Sequence, residues 1–332
     1  MKSTSVREQS LRASTVVFMR AARIHAIAGT LQLDTDVPDP VAAPGESIVE
    51  LAYSSVNPLD IWVTRGAPGA AADHLPWTPG TEATGHLDGK PVLVRGSGFG
   101  VMRPGLYAER AAVPASSIMP LADGTDLAQA AALGVAGITA WHAVYSKGEV
   151  KAGDRVLVLG ASGGVGAMAV QIATAAGATV CGQTSNQAKT AGILANGAAA
   201  AIVCHADSLA ESLMGFVPTL VLDALGGPWT DAAIAALDFE GRLVSYGTSA
   251  DEMVTLNMRG LYRKGITLKG YTGLRETAEQ QAEILQHLLA EIAAGRLRVP
   301  IDAVLPLSGA AEAHARILAK NVEGKIVLNC RA

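Results

Sequence analysis

The sequence predicts an α/β protein in which a β-rich domain is combined with a parallel, doubly wound sheet. From Met19 to about Asp126, short strand patterns are separated by dense Pro/Gly turns. From Leu127 to about Tyr271, strand-length apolar runs alternate with Ala-rich helical segments. Short strands with frequent turns favour an antiparallel sheet, whereas alternation of strand and helix is typical of a parallel sheet covered by helices.

The composition bounds the class of protein. The chain has 332 residues, of which 49 % are hydrophobic and 17 % charged, so two domains with large cores are expected. The net charge is −4 and no basic block occurs, which excludes an evident nucleic-acid surface. No apolar run approaches the length of a membrane span, so no membrane partner is expected. Three scattered cysteines, Cys181, Cys204 and Cys330, favour a reducing, cytoplasmic setting.

The first residues differ from the rest of the chain. Residues 1–18 are polar and lack the apolar centre of a signal peptide, and periodic sequence starts near Thr15 or Met19. We expect residues 1–18 to be a disordered leader; the alternative is that they follow an upstream start and that Met19 is a second start.

The β-rich part opens with alternating patterns. Residues 47–53 alternate with period two, and residues 91–94 form a short apolar run. Both patterns predict strands. Helix formers take over at residue 127, where the second part begins.

A glycine-rich turn follows the first strand of the second part. Residues 154–159 form an apolar run, residues 160–166 read Gly-Ala-Ser-Gly-Gly-Val-Gly, a helical segment reaches about Ala176, and residues 178–181 form the next strand. Strand, glycine turn, helix and strand make the first half of a dinucleotide-binding unit. The alternative is an ordinary tight turn, because Ala161 departs from the usual glycine pattern. A P-loop is excluded, since no Gly-Lys-Ser/Thr follows.

The residues after the second strand indicate which dinucleotide binds. An NAD site has an acidic residue about 20 positions after the turn, for the ribose 2′-hydroxyl. No acidic residue occurs between Asp154 and Asp207, and residues 183–186 read Gln-Thr-Ser-Asn with Lys189 beyond. Hydroxyls and a cation suit a 2′-phosphate, so the sequence predicts NADPH rather than NADH.

Later segments complete the two parts. Residues 219–224 and 241–246 predict further strands of the parallel sheet, and residues 276–294 predict an amphipathic helix that ends at Gly295. A last strand is predicted at residues 324–328. The β-rich part therefore includes both ends of the chain, with the nucleotide domain inserted between them.

Several motifs resemble one family in the same order along the chain. They are Val56-Asn57-Pro58-Leu59-Asp60, Pro79-Gly80-Thr81-Glu82-Ala83-Thr84-Gly85, Gly105-Leu106-Tyr107-Ala108-Glu109, Ala136-Gly137-Ile138-Thr139-Ala140-Trp141, residues 160–166 and Val221-Leu222-Asp223-Ala224-Leu225-Gly226-Gly227. From Met19 on, the sequence resembles the medium-chain dehydrogenase/reductases, and within them the zinc-independent quinone oxidoreductases of the zeta-crystallin-like group. The resemblance implies a β-rich, GroES-like catalytic domain at residues 19–126 and 272–332 and a Rossmann NADPH-binding domain at residues 127–271.

The resemblance also bears on zinc. Zinc alcohol dehydrogenases of the family have Cys, His and Cys where this chain has Asn57, Thr81 and the pair Val135-Ala136. A catalytic zinc needs about three Cys, His or carboxylate ligands. The structural zinc lobe needs four clustered cysteines, and this chain has three dispersed ones. We therefore expect no metal.

On the catalytic side, the resemblance implies that Asn57 lies beside the nicotinamide and Asp60 beside the substrate pocket. Trp62 stands where many relatives have Tyr and is expected to form a flat wall of that pocket. Two alternatives stay open: Asp60 caps a turn, and Trp62 belongs to the core. Tyr53 and Tyr107 are candidate proton donors, although core or turn roles are favoured.

On the cofactor side, the resemblance implies three groups of contacts. The pyrophosphate group is Ser162, Gly163, Gly164, Val165 and Gly166; the 2′-phosphate group is Ser185 and Lys189 with Thr184 and Asn186; the nicotinamide group is Thr139, Leu225, Tyr246, Gly247 and Thr248. Cys204 stands where some relatives have a Tyr that contacts the adenosine end, so that contact is in doubt.

The expected activity is metal-free hydride transfer from NADPH to a quinone or another activated enone, which needs no Lewis acid. One alternative is an enoyl or enone reductase acting on a biosynthetic intermediate. Another, of a different class, is a non-catalytic NADPH-binding protein. The resemblance also implies a homodimer, paired through the edge strand predicted at residues 265–270.

Overall fold

The computed structural model describes residues 17–67, 69–273 and 276–332. Residues 1–16 of the predicted leader lie outside the described residues. The strands are β1 Phe18–Arg23, β2 Gln32–Pro38, β3 Glu46–Ser55, β4 Glu82–Leu87, β5 Lys90–Arg95, β6 Arg110–Pro114, β7 Ile118–Pro120, β8 Arg155–Leu159, β9 Thr179–Thr184, β10 Ala200–Val203, β11 Leu220–Asp223, β12 Arg242–Ser245, β13 Thr267–Gly270, β14 Ile301–Pro306 and β15 Lys325–Asn329. The helices are α1 Pro58–Thr64, α2 Leu127–Trp141, α3 Gly164–Ala175, α4 Thr190–Ala195, α5 Leu209–Ser212, α6 Pro228–Ala236, α7 Met258–Lys264, α8 Ala278–Ala293 and α9 Ala310–Leu318.

The β-rich part is built around one long strand. The path of its sheet runs β14-β15-β3-β4-β5-β7, and β6 pairs with the first half of β3 while β15 pairs with its end. Most neighbours in this sheet are antiparallel, and β1 and β2 form a separate antiparallel pair. The strand β15 thus joins the sheet formed by β3 to β7, more than 200 residues earlier in the chain.

The second sheet is parallel throughout. Its order is β10-β9-β8-β11-β12-β13, which is sequential strand order 3-2-1-4-5-6 counted from β8. This is the order of a doubly wound dinucleotide-binding sheet, with its switch point between β8 and β11. The apolar residues of β8 and β11 are almost fully buried because helices cover both faces. The predicted combination of a β-rich domain with a Rossmann sheet is confirmed.

The central helix of the fold is α2. Asp126 caps its start by accepting from the backbone N–H groups of Ala128 and Gln129. Together with a wide π-turn at residues 142–147, the helix spans Leu127–Lys147, and an 18-residue window has mean hydropathy 1.3. Length and composition would let this one helix cross a membrane, contrary to our expectation from the sequence, but 61 % of the window is buried inside the fold. A buried core helix passes the same test.

The amphipathic helix predicted at residues 276–294 is α8. Thr277 caps it, and Gly295, in the left-handed region at φ 69°, follows its end. Leu285 and Leu288 are buried in the same apolar cluster as residues of α2 and β8. The domain limits at residues 126/127 and 271/272 stay a prediction, since α8 packs across them.

Three elements differ from the sequence-based prediction: one strand is longer than predicted, and two helices were not predicted. The strand predicted at residues 178–181 is β9, which continues to Thr184, so Gln183 and Thr184 belong to the strand. The helix α1 was missed because it is short and starts at a proline, a residue that reads as a turn. The helix α9 was also missed, although its residues form an amphipathic pattern.

Candidate cofactor and active site

The glycine turn, residues 160–166, leads from β8 into α3 at the switch point of the parallel sheet. Gly163 is the N-cap of α3, and within the described part of the chain no side chain caps this helix. Residues 162–165 are partly exposed. The first N–H groups of a helix carry partial positive charge and suit an anion. The turn is therefore suited to the pyrophosphate of a dinucleotide, and the contacts of Ser162, Gly163, Gly164, Val165 and Gly166 with it stay a prediction.

Close packing explains two of the glycines. Gly160 adopts φ 71°, in the left-handed region. A Cβ on Gly166 would lie 2.3 Å from the carbonyl oxygen of Gly160, so α3 could not approach β8 with any larger residue. Gln183 braces the turn, since its carboxamide accepts from the N–H of Gly160 at 3.1 Å and donates to the carbonyl of Cys204.

The end of β9 is polar, as expected for a 2′-phosphate site. Thr184 is buried and its hydroxyl lies 3.4 Å from that of Ser162, whereas Ser185 and Asn186 are exposed. Asn186 caps the following turn by accepting from the N–H of Ala188. The edge thus offers the Ser185 hydroxyl to a ligand.

Lys189 is placed differently from its neighbours. Its side chain is buried, and its ammonium donates to the carbonyls of Lys320 and Val322, both at 2.8 Å. Burial lowers the pKa of this ammonium. Lys189 would have to leave these carbonyls to bind a 2′-phosphate, so its predicted role stays a prediction.

The carboxyl ends of β11 and β12 lie at the same edge of the parallel sheet as the glycine turn. The buried Asp223 accepts from the N–H groups of Leu225 and Gly226, and from the hydroxyl of Thr230 at 2.6 Å. The N–H of Tyr246 donates to the carbonyl of Asp223. Asp223 therefore fixes the loop after β11, and that loop lies against the start of the loop after β12.

The five residues predicted for the nicotinamide half differ in exposure. Thr139, on α2, is half-buried, as are Leu225, Tyr246 and Gly247, whereas Thr248 is exposed. A Cβ on Gly160 would lie 3.4 Å from the side chain of Leu225, which joins this half to the glycine turn. The hydroxyl of Tyr246 is buried without a hydrogen-bond partner among the described residues, and burial raises its pKa.

On the catalytic side, Asn57 stands at the start of α1. Asp60 accepts from the backbone N–H of Asn57 at 2.8 Å, in the manner of a capping box, and Pro58 occupies the first helical turn. The capping role considered for Asp60 is therefore present. It does not exclude a chemical role, because only one carboxylate oxygen is used in this way.

Asp60 is a buried carboxyl with one free oxygen. Its Oδ2 also accepts from the hydroxyl of Tyr107 at 3.0 Å, and its Oδ1 has no partner among the described residues. Burial raises the pKa of Asp60 to about 7, against the opposing effects of the Asn57 N–H, the Tyr107 hydroxyl and the Lys325 ammonium. A carboxyl with this pKa can hold or release a proton near neutral pH.

The Glu82 cluster, which we define as Asn57, Glu82, Arg95 and Lys325, lies beside Asp60. Asn57 Nδ2 donates to Glu82 Oε1 at 2.9 Å, and Lys325 Nζ donates to Asn57 Oδ1 at 2.5 Å. Glu82, with no exposed surface, also lies 3.7 Å from the Lys325 ammonium and 3.7 Å from the Arg95 guanidinium. One buried carboxylate thus faces two cations.

The candidate aromatic residues differ in their exposure to solvent. The Trp62 side chain is 46 % exposed, so the interpretation of Trp62 as a core residue is wrong, while its role as a pocket wall stays a prediction. Tyr107 is fully buried and bonded to Asp60, and Tyr53 is half-buried against the core.

The three positions that correspond to zinc ligands come together, but their chemistry does not fit zinc. Asn57 Nδ2 lies 3.4 Å from the Thr81 hydroxyl, and the backbone N–H of Val135 donates to Glu82 at 2.6 Å. Across the described ranges, no group of three or more His, Cys, Asp or Glu side chains could hold a metal ion. An amide, a hydroxyl and a backbone N–H do not replace the anionic or imidazole ligands that zinc requires.

Three members of the cluster were not predicted from the sequence. Glu82 belongs to the motif at residues 79–85, which was considered only for the family resemblance and for the zinc position Thr81, and Arg95 ends β5. Lys325 begins the apolar strand β15. The available indication was a charged residue within an apolar run, because Lys and Glu are seldom fully buried without a partner.

Comparison with known proteins identifies relatives of the chain. A family model described as "Zinc-binding dehydrogenase" matches residues 197–328. The quinone oxidoreductase of Sus scrofa is 29 % identical over 323 residues, covering 93 % of this chain and 97 % of that protein. A piece of a phenolphthiocerol/phthiocerol polyketide synthase from Mycobacterium tuberculosis is 29 % identical over 250 residues, which is 73 % of this chain and 11 % of the synthase.

Two solved structures are similar over most of the chain. The quinone oxidoreductase of Thermus thermophilus, solved also in complex with NADPH, has TM-score 0.81 and 29 % identity, covering 94 % of this chain and all of that one (100 %). An NAD-dependent alcohol dehydrogenase has TM-score 0.83 and 27 % identity, covering 94 % and 99 %. The fold is therefore shared by enzymes with different cofactors and substrates.

Proposed function

We propose, from the premise that the chain is a relative of the quinone oxidoreductases among the medium-chain dehydrogenase/reductases, that it is an NADPH-dependent oxidoreductase that reduces a quinone or another activated enone without a metal. The observation that carries the proposal is a direct connection between the two halves of the site. The N–H of Gly324 donates to the carbonyl of Ser162 in the glycine turn at 2.8 Å, and the next residue, Lys325, contacts Asn57. The cofactor turn and the catalytic side are therefore adjacent.

Binding of NADPH falls to the parallel sheet. The N-terminus of α3 would hold the pyrophosphate, the Ser185 hydroxyl would meet the 2′-phosphate, and the Leu225 and Tyr246 loops would flank the nicotinamide. When bound there, NADPH supplies the hydride.

The residues on the catalytic side would stabilise the negative charge that hydride transfer creates on the substrate. A negative charge develops on the carbonyl oxygen of the substrate, and a nearby excess of fixed positive charge stabilises it. The Glu82 cluster contains two cations for one carboxylate, so positive charge is in excess while the neighbouring Asp60 carboxyl is protonated. Asp60, with its pKa of about 7, is the group we assign to holding a proton next to this site. The exposed indole of Trp62 would bound the substrate pocket.

The proposed metal independence is supported by the residues at the zinc positions, Asn57, Thr81 and Val135. We expect activity to persist after exhaustive treatment with a strong chelator, since these groups do not form a zinc site. The measurement is the rate before and after chelation, together with the zinc content of the purified protein. Loss of activity that added zinc restores would contradict the metal-free mechanism.

A second candidate is reduction of an enone or enoyl group on a biosynthetic acyl intermediate. It is favoured by the match over 250 residues to part of a polyketide synthase. The hydride geometry is the same for both candidates, so the residues assigned above do not distinguish them.

The first experiment follows the oxidation of NADPH against a panel of quinones and of cyclic and acyl enones, with NADH in parallel. Turnover with quinones supports the main proposal, and selective turnover of enones supports the second candidate. If NADPH binds tightly and no substrate reacts, the protein is a non-catalytic NADPH-binding protein with respect to these classes. Failure to bind NADPH would contradict all three.

The cellular setting and assembly are part of the proposal. The three cysteines are buried and unpaired, which suits a reducing compartment such as the cytoplasm. We also propose a homodimer that pairs through β13, an edge strand of the parallel sheet with an exposed leucine, Leu268. We expect no nucleic-acid or membrane partner.

A further inference from the structure

We propose that Lys325 is a positioning residue that locks the carboxamide of Asn57 in one orientation and joins it mechanically to the glycine turn. This role rests on the proposed function, because it assumes that Asn57 lies beside the reacting atoms. In this role, the buried ammonium of Lys325 acts through Asn57 and needs no contact with the cofactor or the substrate.

The hydrogen bonds around Asn57 allow only one orientation of its carboxamide. Lys325 Nζ donates to Asn57 Oδ1 at 2.5 Å, while Asn57 Nδ2 donates to Glu82 Oε1 at 2.9 Å. If the carboxamide rotated by 180°, its NH₂ group would point at the Lys325 ammonium and its oxygen would point at the Glu82 carboxylate. Both contacts would then be repulsive, so the ammonium and the carboxylate fix the amide between them.

The burial of Lys325 indicates that its charge is needed. The residue is 5 % exposed, and a second bond from its ammonium goes to the carbonyl of Val56 at 2.9 Å. Burying an ammonium costs free energy that an apolar side chain of similar size would avoid. Glu82 offsets this cost from a position 3.7 Å away. An apolar residue could fill the same space, but it could not hold the amide oxygen.

The stem of Lys325 links the amide to the cofactor side. A Cβ on Gly164 would lie 2.5 Å from Lys325 Cδ and 3.0 Å from Cγ, so the lysine stem lies directly on the first residue of α3. The N–H of the preceding Gly324 donates to the carbonyl of Ser162. Any displacement of the glycine turn therefore moves the side chain that holds Asn57.

The kinetic test uses Lys325→Met, which keeps the length of the stem and removes the charge. We expect kcat to fall by about 100-fold, the cost of misplacing a group at the reacting centre, while the Kd for NADPH measured by fluorescence stays within about threefold. Lys264→Met is the matched control. The Lys264 ammonium also donates to two carbonyls, those of Ala235 and Leu237, but lies away from the site, so its kcat should not change.

A double-mutant cycle separates positioning from a general structural effect. If Lys325 acts through Asn57, then Lys325→Met should change kcat by no more than about twofold in an Asn57→Ala background. If the two substitutions instead lower kcat independently, so that their fold-changes multiply in the double variant, the proposal is overturned. If Lys325→Met does not fold, the variant Lys325→Met/Glu82→Gln removes the ammonium together with the carboxylate that offsets its burial, while the Arg95 guanidinium keeps its bond to Gln281. This variant should show the same loss of kcat with NADPH binding retained.

A measurement on the unliganded wild-type protein needs no activity. The chain has six asparagines, so selective ¹⁵N-asparagine labelling gives a simple spectrum. We expect one pair of Asn57 carboxamide resonances with slow hydrogen exchange, whereas the exposed Asn257 exchanges quickly. Lys325→Met should accelerate the Asn57 exchange. Fast exchange in the wild-type protein would overturn the proposal, even if the enzyme reduces quinones. Slow exchange that depends on Lys325 would support it, even if no tested substrate reacts.

Discussion

At the scale of single residues, Lys189 offers the sharpest test of cofactor choice. We expect Lys189→Ala to weaken the binding of NADPH more than that of NADH, by about 1.5–3 kcal/mol, because a charge-assisted contact to the 2′-phosphate is lost. Binding titrations with both cofactors measure the difference. An equal effect on NADPH and NADH would mean that Lys189 only braces the carbonyls of Lys320 and Val322, which its ammonium contacts in the unliganded chain.

His314 predicts how stability depends on pH. Burial lowers its pKa from 6.5 to about 4, with its ring 6.0 Å from that of Tyr107. Between these two pH values the unfolded chain binds a proton that the folded chain excludes. Stability therefore falls as the pH drops from about 6.5 to about 4, by about 3 kcal/mol from this group.

The variant His314→Gln isolates this effect. Its free energy of unfolding, measured by urea titration, should decrease less than that of the wild type when the pH is lowered from 7 to 5. Asp60 acts in the opposite direction, since its raised pKa makes the folded chain bind the extra proton, but this contribution is common to both proteins. Parallel pH profiles would show that folding does not lower the pKa of His314.

At the scale of elements, the junction of β8 and α3 is defined by Gly166. A Cβ there would lie 2.3 Å from the carbonyl oxygen of Gly160, which is backbone and cannot rotate away. We expect Gly166→Ala to lower stability by about 1–3 kcal/mol and to weaken NADPH binding, because α3 is pushed from the turn. Gly260→Ala in α7 is the control, since its nearest contact would be 3.6 Å. Thermal unfolding and cofactor titration of both variants give the comparison.

The sequence was sufficient for elements whose pattern is local. The apolar runs of β8 and β11 are bounded by turns, and each predicted range is within about two residues of the observed strand. The helix α1 was not predictable in this way. It is held by its contacts with the rest of the site, such as the bond from Tyr107 to Asp60, which is 47 residues away along the chain.

The same distinction applies to the candidate site. The glycine turn is a contiguous motif, so its residues and its helix follow from the sequence. The Glu82 cluster is assembled from positions far apart: Asn57 and Glu82 differ by 25 residues, and Asn57 and Lys325 by 268. No local pattern encodes such contacts. Only the improbability of an unpaired buried charge points to them.

At the scale of the whole molecule, the exposed edge of the parallel sheet predicts assembly. The strand β13 pairs only with β12 in the described sheet, and Leu268 on it is 43 % exposed. An edge strand leaves backbone N–H and C=O groups unpaired on one side, and these groups can pair with a second copy. We expect Leu268→Lys to shift the protein from dimer to monomer in sedimentation analysis.

The other sheet provides the control for this prediction. The strand β14 is an end of the path of that sheet, and Val304 on it is similarly exposed, at 48 %. Val304→Lys should leave the oligomeric state unchanged. If it dissociates the dimer instead, the pairing surface lies on β14. If the wild-type protein is already a monomer, the proposed dimer is wrong.

The position of Lys325 also has a consequence for synthesis on the ribosome. The glycine turn, residues 160–166, leaves the exit tunnel about 160 residues before Lys325, so it can fold with its neighbouring strands first. A nascent chain that has not yet reached Lys325 would therefore contain the dinucleotide turn but lack the ammonium that we propose to order the Asn57 amide. Such a nascent chain would hold the nucleotide without being able to consume it.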